Sequence, residues 1–156
     1  MNYQNILNNY GYLLYDLPYG QIIFMAFFIQ LLTTNTGIQF SYISLLNIIG
    51  YFCVGALKNH FKTRRPIKCI NDTYDICPKS YDIPSGHSFY AVFWLLLIYK
   101  TLDIPYYKNL KKALIVYLAF IPLSRYLSGV HSISAVIFGS LMGLVWFIFS
   151  TLFINK

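Results

Sequence analysis

The stretch from Ile133 to Ile154 contains no charged residue and no proline, and its polar side chains are limited to Ser134, Ser140, Ser150 and Thr151 apart from one indole. A ~30 Å hydrocarbon core takes about 20 apolar residues in helical form. The stretch therefore reads as a membrane-spanning helix, and the rest of the chain must fold around it. Composition agrees: 57% of the 156 residues are hydrophobic and 11% are charged, against about 25% charged in an ordinary soluble domain. The expectation is an all-α integral membrane bundle, one membrane-embedded domain over 1–156, with about five transmembrane helices.

Five more segments supply the four remaining spans and a surface helix. Tyr3, Ile6, Leu7, Tyr10, Leu13, Leu14 and Leu17 recur at helical spacing among Asn and Gln, which predicts an N-terminal amphipathic helix lying in the interface. Met1 to Tyr15 has neither the basic start nor the small-residue cleavage site of a signal peptide. Spans follow at Tyr19 to Thr33, Ile38 to Leu57, Ser85 to about Leu102, and Ala113 to about Leu123, where Pro122 is expected to kink or end the helix. Residues 58–83 form a polar, basic connection, Asp103 to Lys112 a short basic turn, and Ser124 to His131 the last connection.

A formal net charge of +7 does not mark a nucleic-acid binder here, because the cations fall in two loops and one cluster rather than on one face. That distribution fits membrane topology and anionic lipid. Alternation of the spans places the end of the second, the start of the third, the end of the fourth and the start of the fifth on the same side. Lys58, Arg65, His87, Arg125 and His131 therefore converge at one membrane face. Taken singly, Lys58 and Arg65 are ordinary loop charges and His131 an interfacial histidine. Arg125 lies between apolar runs, where a cation is expensive and usually functional.

Such a cluster calls for an anion. Arg65 and Arg125 offer planar forks that match phosphate, and Lys58 a point charge. One histidine can attack phosphorus while the other protonates the leaving oxygen, a scheme that uses no metal or other cofactor. Pro84-Ser85-Gly86-His87 suits the start of a helix: Ser85 can cap it, and free backbone N–H groups there favour an anion.

In these residues the chain resembles the type 2 phosphatidic acid phosphatase superfamily of membrane lipid phosphatases. The family's first motif, a lysine, six residues and Arg-Pro, matches Lys58 through Arg65-Pro66. The second, Pro-Ser-Gly-His, is intact at 84–87. Of the third, Ser124-Arg125, Gly129 and His131 match. The matches lie within 58–139, in order and with ordinary spacing. The resemblance implies that His131 is a nucleophile forming a phosphohistidine and His87 the general acid. It also implies that Lys58, Arg65 and Arg125 clamp the phosphate, with Ser85 and Gly86 adding donors. Substrates would be phosphate or diphosphate esters of lipids, such as phosphatidic acid or an isoprenoid diphosphate.

One position departs from the pattern. The family's aspartate, four residues after the nucleophile, is Ala135 here. Residues i and i+4 share a helix face, so that carboxylate would hold the imidazole in its working tautomer. Asp72, Asp75, Asp82, Ser128 and Ser134 remain as residues that could orient the ring. The departure leaves a second reading open, a silent relative that binds phospholipid or a membrane partner. A transporter or channel subunit fits less well, since no inverted repeat is present.

Orientation rests on the basic residues. Lys58, Lys62, Arg64, Arg65, Lys68, Lys79 and Arg125 lie on the motif side, and Lys100, Lys108, Lys111, Lys112 and Lys156 on the other. Without the three phosphate ligands the tally is four against five, which puts the motif side on the extracytoplasmic face of a plasma or inner membrane. Cys69 and Cys77 would then lie in an oxidising compartment and could close a loop disulfide.

Overall fold

A computed structural model of the chain describes residues 37–66, 80–101 and 108–154. Among these residues there are four helices and no strand: α1 (Gly37–Phe61), α2 (Gly86–Thr101), α3 (Lys108–Leu127) and α4 (Ile133–Ile154). The expected interfacial helix, the first span and the Cys69 and Cys77 loop lie outside the described residues. All-helical architecture is as expected, and α4 has the boundaries anticipated for the last span.

The central element is α2. Its sequence is apolar all round rather than striped, the pattern of a helix covered on most sides. Phe89, Ala91, Phe93, Trp94, Leu97 and Ile98 are buried accordingly. Ile43 from α1 and Leu118 from α3 complete this core. Fully burying an aromatic such as Phe93 contributes about 1.5–3 kcal/mol.

Small residues set how closely α2 can approach its neighbours. A Cβ on Gly139 would collide with the Ser85 carbonyl oxygen, and one on Gly143 with the Phe89 carbonyl oxygen. The spacing of four residues places both glycines on one face of α4, which therefore meets the α2 backbone directly. Across the bundle, Gly50 of α1 leaves room for the Phe89 ring. Tyr90 donates its hydroxyl to the Asn47 carbonyl at 2.9 Å, and the Trp146 indole N–H donates to the Leu46 carbonyl at 3.3 Å. Two polar anchors thus tie α1 to α2 and α4.

Two of the four helices, over Ser41–Phe61 and Ile133–Leu152, are long and apolar enough to cross a membrane. Large apolar side chains on them, such as Phe52, Val145 and Leu152, stand more than 60% exposed. Helix α2, at 16 residues, is short for a ~30 Å core, in keeping with a start set down inside the bundle.

Three boundaries differ from the sequence expectation. Helix α1 continues through Lys58 to Phe61, so Lys58 belongs to its last turn. Helix α3 begins at Lys108, taking in residues expected in a turn, and runs through Pro122 to Leu127. Proline removes one backbone donor and crowds the carbonyl four residues back, which can bend a helix without ending it. Ser124 donates its hydroxyl to the Ile121 carbonyl at 2.7 Å, adding a local bond just past the proline.

Candidate active site

Four helix ends meet at one end of the bundle. Helix α1 stops at Phe61, and Lys62 takes a positive φ of 49°, the left-handed turn that commonly closes a helix although a lysine adopts it at some cost. Its N–H returns to the Lys58 carbonyl. The turn redirects residues 63–66 beside residues 80–83. Asp82 N–H donates to the Thr63 carbonyl at 3.0 Å, and Ile83 N–H to the Thr63 hydroxyl at 2.9 Å. The approach to α2 is thereby fastened to the exit from α1.

Ser85 caps α2 as expected. Its hydroxyl oxygen accepts from the Ser88 N–H at 3.4 Å and the Ser88 hydroxyl at 3.0 Å, three residues on, as an N-cap does. Its own N–H donates to the Ala135 carbonyl of α4 at 3.0 Å. Gly86 and His87 follow in the first turn of α2, where backbone N–H groups favour an anion. Gly86 opens the helix, within ordinary contact of Val54.

Helix α3 ends on a glycine turn. Gly129 has a φ of 72°, a conformation glycine adopts without steric penalty, and its N–H reaches the Tyr126 carbonyl at 2.9 Å. Two residues later the His131 N–H donates to the Arg125 carbonyl at 3.1 Å. Arg125 and His131 are thus joined through backbone, which explains why that glycine stands between them. Ser132 then caps α4, its hydroxyl accepting from the Ala135 N–H at 3.2 Å.

Arg65 reaches across this junction. Its Nε donates to the Ser80 carbonyl at 2.8 Å, its Nη2 to the Ser80 hydroxyl at 3.0 Å, and its Nη1 to the Val130 carbonyl at 2.7 Å. The same Nη1 lies 3.3 Å from His131 Nε2. Lys58 Nζ donates to the Tyr81 carbonyl at 2.8 Å and the Ser80 hydroxyl at 3.3 Å. The charges of Arg125, Lys58 and Arg65 all act on His87 as well. Lys58, Arg65, His87, Arg125 and His131 are therefore brought together, as the alternation of spans predicted.

The second nitrogen of His131 has a carboxylate. Asp82 Oδ1 lies 2.7 Å from His131 Nδ1, and each residue is 2% exposed. Asp82 Oδ2 accepts from the Ser132 hydroxyl at 2.5 Å, and the Ser132 N–H points to both oxygens at 3.3 and 3.4 Å. Neither Ser128 nor Ser134 takes this part: Ser128 donates to the Arg125 carbonyl, and Ser134 pairs with the Ser132 hydroxyl. Asp72 and Asp75 lie outside the described residues. Asp82 was one of several acids the sequence offered, and no spacing rule singles out a residue 49 positions away.

Arginine has only donors and a carboxylate only acceptors. His131 Nε2 must therefore accept and Nδ1 must carry the proton, so both contacts demand the same neutral tautomer. Electrostatics agree. Burial pushes His131 down to about 4 against the opposing effect of its hydrogen bond to Asp82, with the charges of Arg65 and Lys58 adding to the fall. Burial alone would raise the Asp82 carboxyl, but hydrogen bonds with His131 and Ser132 outweigh it and hold the group below its ordinary value.

Three buried cations, Lys58, Arg65 and Arg125, surround this pair, and Asp82 is the only acidic residue among the described residues. Among the described residues no three His, Cys, Asp or Glu side chains gather as a metal site would. What the site offers is a concentration of positive charge, a neutral imidazole whose Nε2 lone pair faces the Arg65 guanidinium, and a second imidazole on a helix start.

A helical bundle with histidines and fixed cations at one end is an arrangement suited to phosphate chemistry. The PAP2 superfamily model matches residues 39–156, and the chain belongs to that superfamily, which is one of phosphoesterases. No curated protein and no solved structure matches the chain.

Proposed function

We propose that the protein is a multi-pass integral membrane lipid phosphatase that hydrolyses a phosphate monoester or diphosphate headgroup through a phosphohistidine on His131, without a metal. The observation that carries this reading is the double engagement of His131: Nδ1 on the Asp82 carboxylate at 2.7 Å and Nε2 facing the Arg65 guanidinium at 3.3 Å. A bound phosphoryl group on Arg65 would lie next to the nucleophilic lone pair.

The chemistry follows in two steps. His131 Nε2 attacks phosphorus, the N–P bond forms, and the P–O bond to the lipid breaks. His87 gives its proton to the leaving oxygen, a protonation that a neighbouring anionic phosphate favours. Water then attacks the phosphohistidine, His87 takes up the proton, and inorganic phosphate departs with His131 regenerated. Lys58, Arg65 and Arg125 hold the phosphoryl oxygens, and the N–H groups at the start of α2, from Gly86 onward, add partial positive charge. Five spans and an N-terminal interfacial helix would seat this site at the membrane surface, with the motif side facing outward and the lipid tail entering between helices.

The test is phosphate release from phosphatidic acid, an isoprenoid diphosphate and phosphatidylglycerol phosphate in detergent with EDTA present, run beside His131→Ala. Turnover of at least one lipid by the parent, with its loss in the variant and an acid-labile phosphoprotein on rapid quenching, is the expected result. Equal release from parent and variant on every lipid would instead support the silent, lipid-binding relative. Loss of turnover on chelation would remove the metal-free scheme.

A further inference from the structure

We infer that Asp82, carried on the loop that enters α2, is the positioning carboxylate of His131 and does the work that the residue at 135 leaves undone. The inference rests on the reading of His131 as nucleophile and goes beyond it by assigning the group that sets its tautomer.

Alanine at 135 has no group that could take this role. Ala135 is fully buried, and its carbonyl is taken by the Ser85 N–H. Asp82 reaches the ring from the segment that also delivers Ser85 and His87. Its placement is determined three times over: Thr63 holds its backbone N–H, Ser132 donates twice to the carboxylate, and His131 supplies the third donor. Ser132 is also the cap of α4, so the carboxylate rests at that helix's positive end, where a negative charge is favoured. Nucleophile orientation and the general acid are therefore carried by one stretch, Asp82 to His87, rather than divided between α2 and α4.

The arrangement makes Asp82→Asn a sharp probe. The two Ser132 donors require an acceptor, so the amide oxygen would turn toward Ser132 and the amide N–H₂ toward His131 Nδ1. Nδ1 would then have to accept, and the ring proton would move to Nε2, against the Arg65 donor. The variant would hold the wrong tautomer with nearly unchanged shape. By analogy with the carboxylate-to-amide change in a serine-protease triad, turnover should fall about 10²–10⁴-fold, with KM little altered because the cationic clamp is intact.

The experiment joins two readouts on the full chain in detergent. Ring ¹⁵N shifts of His131, assigned with His131→Gln, should show a protonated Nδ1 and an unprotonated Nε2 in the parent at pH 7, and the reverse in Asp82→Asn. Kinetics on the best lipid substrate should show the kcat loss. An Nε2–H tautomer in the parent, or a folded Asp82→Asn variant with parental kcat, overturns the inference. If the variant does not fold, the parent's tautomer decides. A parent without turnover removes the hydrolase reading, while the ring shifts still decide whether Asp82 sets the tautomer.

Discussion

The Ser85 carbonyl and the Cα of Gly139 meet in direct backbone contact, so that a Cβ on Gly139 would overlap the oxygen. The contact sets how deep the start of α2 lies against α4 and hence where His87 stands relative to His131. It recurs one turn along, between the Phe89 carbonyl and Gly143. Overpacking of this kind costs about 1–3 kcal/mol. Gly139→Ala and Gly143→Ala should each lower the thermal midpoint by a few degrees. Gly139→Ala should also lower turnover more than Gly143→Ala does, because it displaces the turn bearing Ser85 and His87. Thermal melts and kcat on the two variants check this, and equal turnover in both would show that the crossing does not position the site.

Arg65 makes three directional contacts that a lysine cannot reproduce. Arg65→Lys should retain the charge yet lose more than tenfold in kcat/KM, with a lower thermal midpoint. A hydrogen bond from a charged group is worth about 1.5–3 kcal/mol. Steady-state kinetics beside a melt would separate the two effects. Parental kcat/KM in the lysine variant would mean that charge alone suffices.

Ala135→Asp is expected not to raise turnover. It would bury a second carboxylate one helical turn from His131, which already holds the Asp82 carboxylate together with Ser132. Like charges in such proximity disfavour ionisation, and position 135 is fully buried. The expected outcome is kcat at or below the parental value and a lower melting point. A gain in kcat would show that Asp82 does not serve the ring.

Stability should fall on mild acidification. His131 has a folded value of about 4, below its unfolded 6.5, so between these limits the unfolded state binds more protons. Stability then rises with pH across that window and is lost as pH drops from 6.5 toward 4. Asp82, also depressed, adds a loss of the same sign at lower pH, as it protonates. The melting point should decline from pH 7 to pH 4, and His131→Gln should flatten the slope above pH 4. An unchanged slope in that variant would exclude His131 as the group responsible.

Much of this was legible along the chain. Ile133–Ile154 needed only the absence of charge over a helix long enough to span, and α4 has those limits. The gathering of Lys58, Arg65, His87, Arg125 and His131 followed from counting alternating spans, because a helix that crosses must return its end to a definite side. Pro122 left open whether the helix kinks or ends, and the helix runs on to Leu127, because a proline's effect depends on whether neighbouring turns can absorb one missing donor. The lysines from 108 onward misled, being equally at home in a turn or in the first turn of an interfacial helix end.

The partner of His131 belongs to the other category. Periodicity speaks for residues within a turn or two, and there it could show only that the fourth residue along is an alanine. Asp82, Asp72 and Asp75 were equivalent as letters. What distinguishes Asp82 is the reversal at Lys62, the Thr63 bonds that fasten it, and the Ser132 cap waiting at the start of α4. Among the described residues, sequence alone determined the helices to within their ends, their alternation and the identity of the cations, because these depend on local composition and on chain length. Tertiary structure alone decided which carboxylate meets the imidazole, because that contact joins residues 49 positions apart through loops whose course no local pattern encodes.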